Sequence, residues 1–393
     1  MSYDNFFYDI INHLISENRY REFLDISRIK GRFPIAINNS NGKEIVVWCS
    51  NDYLGMGQSD AAIAAAITTT NQTGIGSGGT RNISGTSHQL IILEKEVADL
   101  HSKEAALVFS SGYIANDATI SALAKIIPDL VIFSDQRNHA SIINGIKNSG
   151  AQKQIFRHND IIHLEELLKL YKLEQAKLII FESIYSMDGD FGEIAKIIDL
   201  AAKYQALTYI DEVHGVGLYG KNGGGLAQKF GLDHKIDIIQ GTFGKAFGGV
   251  GGYIAANKII IDALRCVASG FIFTTSMPPM LAAGIAANIS HLRNSDSERQ
   301  NHQKKVRQLK ALLKDAGIKI IDNQSHIIAI IIGDAALCRE VSKRLLSEYN
   351  IYIQHINYPT VARGQERLRI IPTPFHSDEM IMELVAALKE ILK

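Results

Sequence analysis

The chain has 393 residues, 46% hydrophobic and 21% charged, enough for two or three domains with sizeable cores. Lys+Arg and Asp+Glu each number 41, so the formal charge is zero and no basic excess recommends nucleic acid or a membrane surface as partner; small molecules are expected instead. Three cysteines, Cys49, Cys266 and Cys338, stand far apart with no CxxC pair, which speaks against a zinc site or a disulfide framework and fits a reducing compartment.

In chain order, the opening stretch MSYDNFFYDIINHLISENRYREF carries Asp4 and Asp9 ahead of any basic residue. It lacks a signal-peptide core and an Arg-rich transit pattern, so it reads as an amphipathic first helix, and a bacterial cytoplasmic protein is expected. Next, 60-DAAIAAAITTTNQT-73 is alanine-rich and helix-like, and 74-GIGSGG-79 follows it. The latter matches GxGxxG literally, but a dinucleotide fingerprint needs a strand before it and a helix opening on it; a helix-like run precedes this one, so a glycine-rich substrate loop is the better reading.

From 105 to 256, β-rich runs alternate with helical patterns: 105-AALVFSS-111, 130-LVIFSD-135, 177-KLIIFES-183, 206-ALTYID-211, 237-DIIQGT-242 and 251-GGYIAA-256. Such alternation predicts βαβ units and a largely parallel sheet covered on both faces, with chemistry at the carboxyl ends of the strands. The apolar run 279-PMLAAGIAANI-289 falls short of the roughly 20 residues that span a bilayer. Beyond a polar helical stretch at 291–317, the runs 326-HIIAIII-332, 338-CREVSKRLLSEYN-350, 351-IYIQ-354 and 367-RLRII-371 indicate a smaller α+β domain. The expected division is an N-terminal segment 1–50, a large domain 51–285 and a small domain 286–393.

The predicted strand ends concentrate reactive groups. The strand at 206–211 ends in Asp211, with Glu212 and His214 after it; the next ends in Thr242, with Lys245 in the glycine-rich 241-GTFGKAFGGVGG-252. A lone lysine after a strand is more often a solvated turn residue, and an isolated DEVH is usually a charged turn. Side by side on one rim they supply an amine, a carboxylate and an imidazole. Gly112-Tyr113 follow another strand and open a helix, whose free N–H groups and positive dipole end suit a phosphate. His139 follows a third strand. A phosphate cradle, a carboxylate, imidazoles and a lysine are what pyridoxal phosphate requires: the lysine takes its aldehyde and the carboxylate keeps its ring nitrogen protonated. No metal is expected.

At these residues the chain resembles the α-oxoamine synthases, fold-type I pyridoxal-phosphate transferases. The resemblance runs from 18-NRYREF-23 through 48-WCSNDYLGMG-57, 78-GGTRNISGT-86, 134-SDQRNHAS-141, 181-FESIYSMDGD-190, 210-IDEVHGVGLYG-220, 241-GTFGKAFG-248 and 271-FIFTTSMPP-279 to 356-INYPTVARGQERLRIIPTP-374. It implies that Lys245 bonds the cofactor aldehyde, Asp211 pairs with the pyridine nitrogen, His139 stacks on the ring and His214 bonds its phenolic oxygen. Gly112, Tyr113, Ser186 and Thr242 would hold the cofactor, with Thr274 or Thr275 reaching its phosphate from the second subunit of a homodimer. Asn51, Ser186 and Arg369 correspond to positions that bind the glycine carboxylate; Arg21, Thr80 and Asn82 to positions that recognise the far carboxylate of a succinyl group; Ser134 and Thr360 are further substrate positions.

The implied activity is condensation of glycine with succinyl-CoA and loss of carbon dioxide, a sister enzyme using acetyl-CoA being the alternative. The segment departs from the family pattern at His355, Ala362, Gln365 and Ile371, in the loop that closes over the site in the family, and His88 is displaced by two residues from the family's usual histidine.

Overall fold

A computed structural model describes residues 2–393 and divides the chain into two compact units. The larger comprises Met56–Ser186 and Asp190–Gln300; the smaller comprises the chain up to Gly55, Met187–Gly189 and Asn301–Lys393.

The larger unit is built on a seven-stranded sheet in the order Ala105–Phe109, Gly252–Ala256, Ile238–Thr242, Leu207–Asp211, Lys177–Glu182, Val131–Asp135, Gln152–Phe156. Only Gly252–Ala256 runs antiparallel to its neighbours. All six residues of Lys177–Glu182 are buried, as an interior parallel strand covered on both faces requires. The strand at the far edge, Gln152–Phe156, went unanticipated because its sequence QKQIF is polar and four of its five side chains are not buried. An edge strand with one solvated face carries no continuous apolar run.

The sheet core gathers Leu107, Ile132, Ile180, Tyr209, Ile238 and Ile254 beneath the helices Gly112–Ile126 and Ala140–Ser149. Those helices approach closely at Gly145, where an added Cβ would lie 3.0 Å from the Asp117 Cα. The helix Pro279–Asn294 also belongs to this unit: the Asn288 amide donates to the carbonyls of Met56 and Phe247, both at 2.9 Å. That packing moves the boundary from the expected 285 to the far side of Gln300.

The smaller unit joins the two ends of the chain, which the sequence divided into separate segments. Ile351–Tyr352 pairs in parallel with Lys43–Val47, completing a four-stranded sheet with Ile26–Arg28 and Ile35–Asn38. A three-stranded sheet places Arg367–Ile370 between Ile328–Ile331 and His355–Ile356. Its core includes Trp48, Leu309, Leu345, Leu368 and Leu384. The first helix, Asp4–Ser16, buries none of its residues and leaves Phe6, Phe7 and Tyr8 exposed. Among the described residues no helix is long and apolar enough to cross a membrane.

In the larger unit, the loop after the edge strand is anchored by His158. Its Nδ1 lies 2.9 Å from Asp135 Oδ1 and its Nε2 2.6 Å from Asp190 Oδ2. Burial opposes the charge on this ring, but hydrogen bonds and charge from Asp135 and Asp190 outweigh it and raise the pKa from 6.5 to about 9. A folded-state pKa above the unfolded one stabilises fully below pH 6.5, and the contribution is lost as pH rises through about 9. A shift of this size corresponds to about 3 kcal/mol. Urea unfolding should therefore show wild-type stability declining between pH 6.5 and 9, a slope that His158→Asn removes; an unchanged slope would reject this assignment.

Candidate active site

The parallel register brings the carboxyl ends of the strands into one row. Glu182 is the register partner of Asp211, Asp211 of Gln240, and Thr242 of Gly252, which also faces Phe109. Chain reversals just past this row carry the functional side chains. Gly112 starts its helix after the N-cap Ser111, whose hydroxyl accepts from the Ile114 N–H. The first-turn amides of Gly112 and Tyr113 lie outside the helical ladder, as at any helix start. Gly252 lets this turn approach: a Cβ there would stand 2.5 Å from the Gly112 Cα.

Asp211 is 5% exposed. Its Oδ1 accepts from the Val213 N–H and its Oδ2 from the Asn116 amide, each at 2.9 Å. It forms no salt bridge with a cationic side chain among the described residues. Lys245 Nζ, half-buried, lies 2.7 Å from the Nε2 of the buried His214. His139 caps the helix Ala140–Ser149, and its ring meets the exposed Tyr113 ring edge-on, with centroids 6.4 Å apart. Partial desolvation lowers the His139 pKa, as does the Lys245 charge, against an opposing pull from Asp211.

Glu182, missed by sequence reasoning, lies beneath this group. Its Oε1 accepts from the His139 backbone N–H at 2.6 Å. Burial first, and the Asp211 charge second, raise the pKa of this carboxyl well above the usual carboxylate range.

These residues fit pyridoxal phosphate. A buried carboxylate with two neutral donors has lone-pair capacity for a protonated ring nitrogen; Lys245 offers an amine to the aldehyde; a helix start opposite Thr242 offers N–H groups to a phosphate. Thr242 is itself buried, its hydroxyl donating to the Gly251 carbonyl at 2.8 Å.

The remaining expected positions are distributed as follows. In the larger unit, Ser186 is half-buried, whereas Ser134 is 1% exposed and its hydroxyl accepts from Asn138 at 2.8 Å. Thr80 is half-buried and bridges to Thr275, and Asn82 is exposed. Thr274 and Thr275 line a small cavity with Arg81, Ser110 and Phe271.

In the smaller unit, Arg369 is buried on the strand Arg367–Ile370. Its guanidinium donates to the Asn51 Oδ1 and the Tyr53 hydroxyl, both at 3.2 Å. Arg367, two residues earlier, is instead paired with Asp188 at 2.6 Å. Arg21 and Thr360 are exposed. The divergent loop is tied down near its middle by Arg363, which reaches Glu17 at 2.7 Å, and Ile371 is fully buried. Tyr53 was not anticipated; its place two residues after Asn51 in SNDYLG was the available signal.

The fold and this lysine, carboxylate and imidazole set define the class of pyridoxal-phosphate enzymes. Residues 43–388 match the aminotransferase class I and II family. The chain is 53% identical over 393 residues to the 5-aminolevulinate synthase of Bradyrhizobium diazoefficiens, covering 100% of this chain and 96% of that one. It is 54% identical over 389 residues to the 5-aminolevulinate synthase of Rickettsia prowazekii, covering 99% and 94%. Among solved structures it is similar to a serine palmitoyltransferase from S. paucimobilis with a bound PLP–myriocin aldimine, at TM-score 0.90 and 28% identity, covering 98% and 96%. The chain therefore belongs to the aminotransferase class I and II family and, within it, to the 5-aminolevulinate synthases.

Two outcomes are expected. Lys245→Ala should lose the visible absorbance that the wild-type chain gains with pyridoxal phosphate, and borohydride should no longer fix the cofactor to the protein. Glu182→Gln should keep cofactor affinity, whereas Glu182→Ala, which strands the His139 N–H, should lower the unfolding free energy by about 1–3 kcal/mol in urea titration.

Proposed function

We propose that the chain condenses glycine with succinyl-CoA, releasing coenzyme A and carbon dioxide and giving 5-aminolevulinate for tetrapyrrole synthesis. The observation that carries this reading is the Lys245 amine, 2.7 Å from His214, on the strand-end row that holds the buried Asp211. Bound there, pyridoxal phosphate supplies an electron sink for the pair left on carbon when glycine loses a proton.

The chain's own groups do the rest. Asp211 would hold a proton at the cofactor's ring nitrogen, and His139 would cover the ring. Lys245 Nζ would hold the cofactor through its aldehyde and serve as the base for the glycine α-proton; His214 Nε2 fixes its position through their shared hydrogen bond at 2.7 Å. Arg369 grips the glycine carboxylate, its planar fork held in place by the neutral oxygens of Asn51 and Tyr53. Gly112, Tyr113, Ser186 and Thr242, with Thr274 or Thr275, hold the cofactor. Arg21, Thr80 and Asn82 select the acyl donor through its far carboxylate, and Ser134 and Thr360 complete the substrate contacts.

The working form is a homodimer. In support, the helix Asp4–Ser16 buries none of its residues, and Ile75 and Ile83 in the glycine-rich loops are 74% and 81% exposed. Apolar surface of this kind is commonly covered by a partner. Sedimentation should give twice the mass of one chain.

The decisive measurement is the initial rate of free coenzyme A release with glycine plus succinyl-CoA against glycine plus acetyl-CoA. A strong succinyl preference is expected, reduced in Arg21→Ala; an acetyl preference would overturn the substrate assignment while leaving the cofactor in place. Arg369→Ala should raise the KM for glycine by about 10- to 100-fold, the cost of a lost charge-assisted contact, and Lys245→Ala should cut turnover by several orders of magnitude.

A further inference from the structure

The polar groups behind Asp211 and His139 form one continuous chain of hydrogen bonds within the larger unit. Asn116 sits at its centre on the helix Gly112–Ile126 and is 1% exposed. Its amide nitrogen donates at 2.9 Å to Asp211 Oδ2 and at 2.9 Å to Ser141 Oγ. Its carbonyl oxygen lies 2.7 Å from the hydroxyl of the fully buried Tyr209. Ser141 Oγ in turn lies 2.8 Å from His139 Nδ1, and the Ser141 backbone N–H points at the same nitrogen at 3.2 Å.

The two ends of this chain fix every proton between them. The Asn116 oxygen takes the Tyr209 hydroxyl proton, and its amide nitrogen faces Asp211 Oδ2. The second amide proton goes to Ser141 Oγ, leaving that hydroxyl to donate onward. At the other end a backbone N–H only donates. His139 Nδ1 thus receives two donors and keeps its lone pair, which leaves the ring proton on Nε2.

We infer that Asn116 and Ser141 are positioning residues that join Asp211 to His139 and hold His139 in its Nε2–H tautomer. The inference rests on the reading of Asp211 and His139 as the two groups that grip the cofactor ring and deepens it: the ring-nitrogen partner and the stacking ring are set by one buried amide. A carboxamide suits that place, because it donates to both arms at once and carries no charge beside the Asp211 carboxylate. The charged and titratable groups that bear on His139 are Asp211, Lys245, Glu182 through the His139 N–H, and Tyr113, whose ring meets it edge-on. None of them supplies an acceptor for a proton on Nδ1, which is enclosed by Ser141.

The test is the nitrogen-15 NMR spectrum of histidine-labelled protein, with and without pyridoxal phosphate. His139 is assigned by the signals lost in His139→Gln. A lone-pair Nδ1 and a protonated Nε2 are expected near neutral pH in both samples. A protonated Nδ1 in the cofactor-free protein would overturn the inference whatever the enzyme's substrate proves to be, so its failure is distinct from failure of the functional assignment. Ser141→Ala removes one donor to the neutral ring and should raise the proton affinity of His139 by about three- to tenfold; an unchanged affinity would also count against it. Should Ser141→Ala not fold, the wild-type tautomer decides alone. A structural role for Ser141 without the proposed link would lower stability and leave the ring's titration where it was.

Discussion

The larger unit is organised around a carboxylate in an unfavourable place. Asp211 is 5% exposed at the end of an interior strand, with Glu182 as its register partner. An isolated buried carboxylate is expensive unless hydrogen bonds or an opposite charge compensate it. The Val213 N–H and the Asn116 amide supply part of the compensation, and burial together with the Asp211 charge disfavours a second charge on Glu182. A protonated pyridine nitrogen, under the function proposed above, would supply what these neutral donors do not. The apolar strands on either side keep Asp211 5% exposed, which leaves hydrogen bonds and any bound partner, in place of water, to compensate it.

The same constraint explains the polar residues packed around it. Asn116 and Tyr209 would be poor choices for a core judged on burial alone, yet each has a specific partner, and together with Ser141 they extend the reach of Asp211 to the His139 ring. Arg369 in the smaller unit follows a related logic. It is buried, with hydrogen bonds to the oxygens of Asn51 and Tyr53, and Arg367 two residues earlier is paired with Asp188.

Much of this was legible beforehand. Interior strands such as KLIIFE announce themselves because burial on both faces demands an unbroken apolar run, and the strand ends then locate Asp211, Thr242 and Lys245. The edge strand QKQIF gave no such signal, since four of its five side chains are not buried. Asn116, Ser141 and Glu182 were also silent: a polar residue inside a helix or strand pattern is ordinarily read as its solvated face, and only the neighbouring elements show that these are buried. The domain limits shifted for the same reason. The strand that joins residues 351 and 352 to the strand at 43–47 is a pairing between chain segments some three hundred residues apart, which local periodicity does not encode.

By itself, then, the sequence determined the class of fold, the cofactor chemistry and the residues that end each strand, because periodicity and strand-end residue type are local properties of the chain. Only the tertiary structure decided which polar groups are buried together, that Arg367 is paired with Asp188, that burial and the Asp211 charge raise the Glu182 pKa, and how Asp211 connects to His139. Each of those depends on desolvation and on distances of about 3 Å between segments far apart in sequence, and these exist only once the chain has folded.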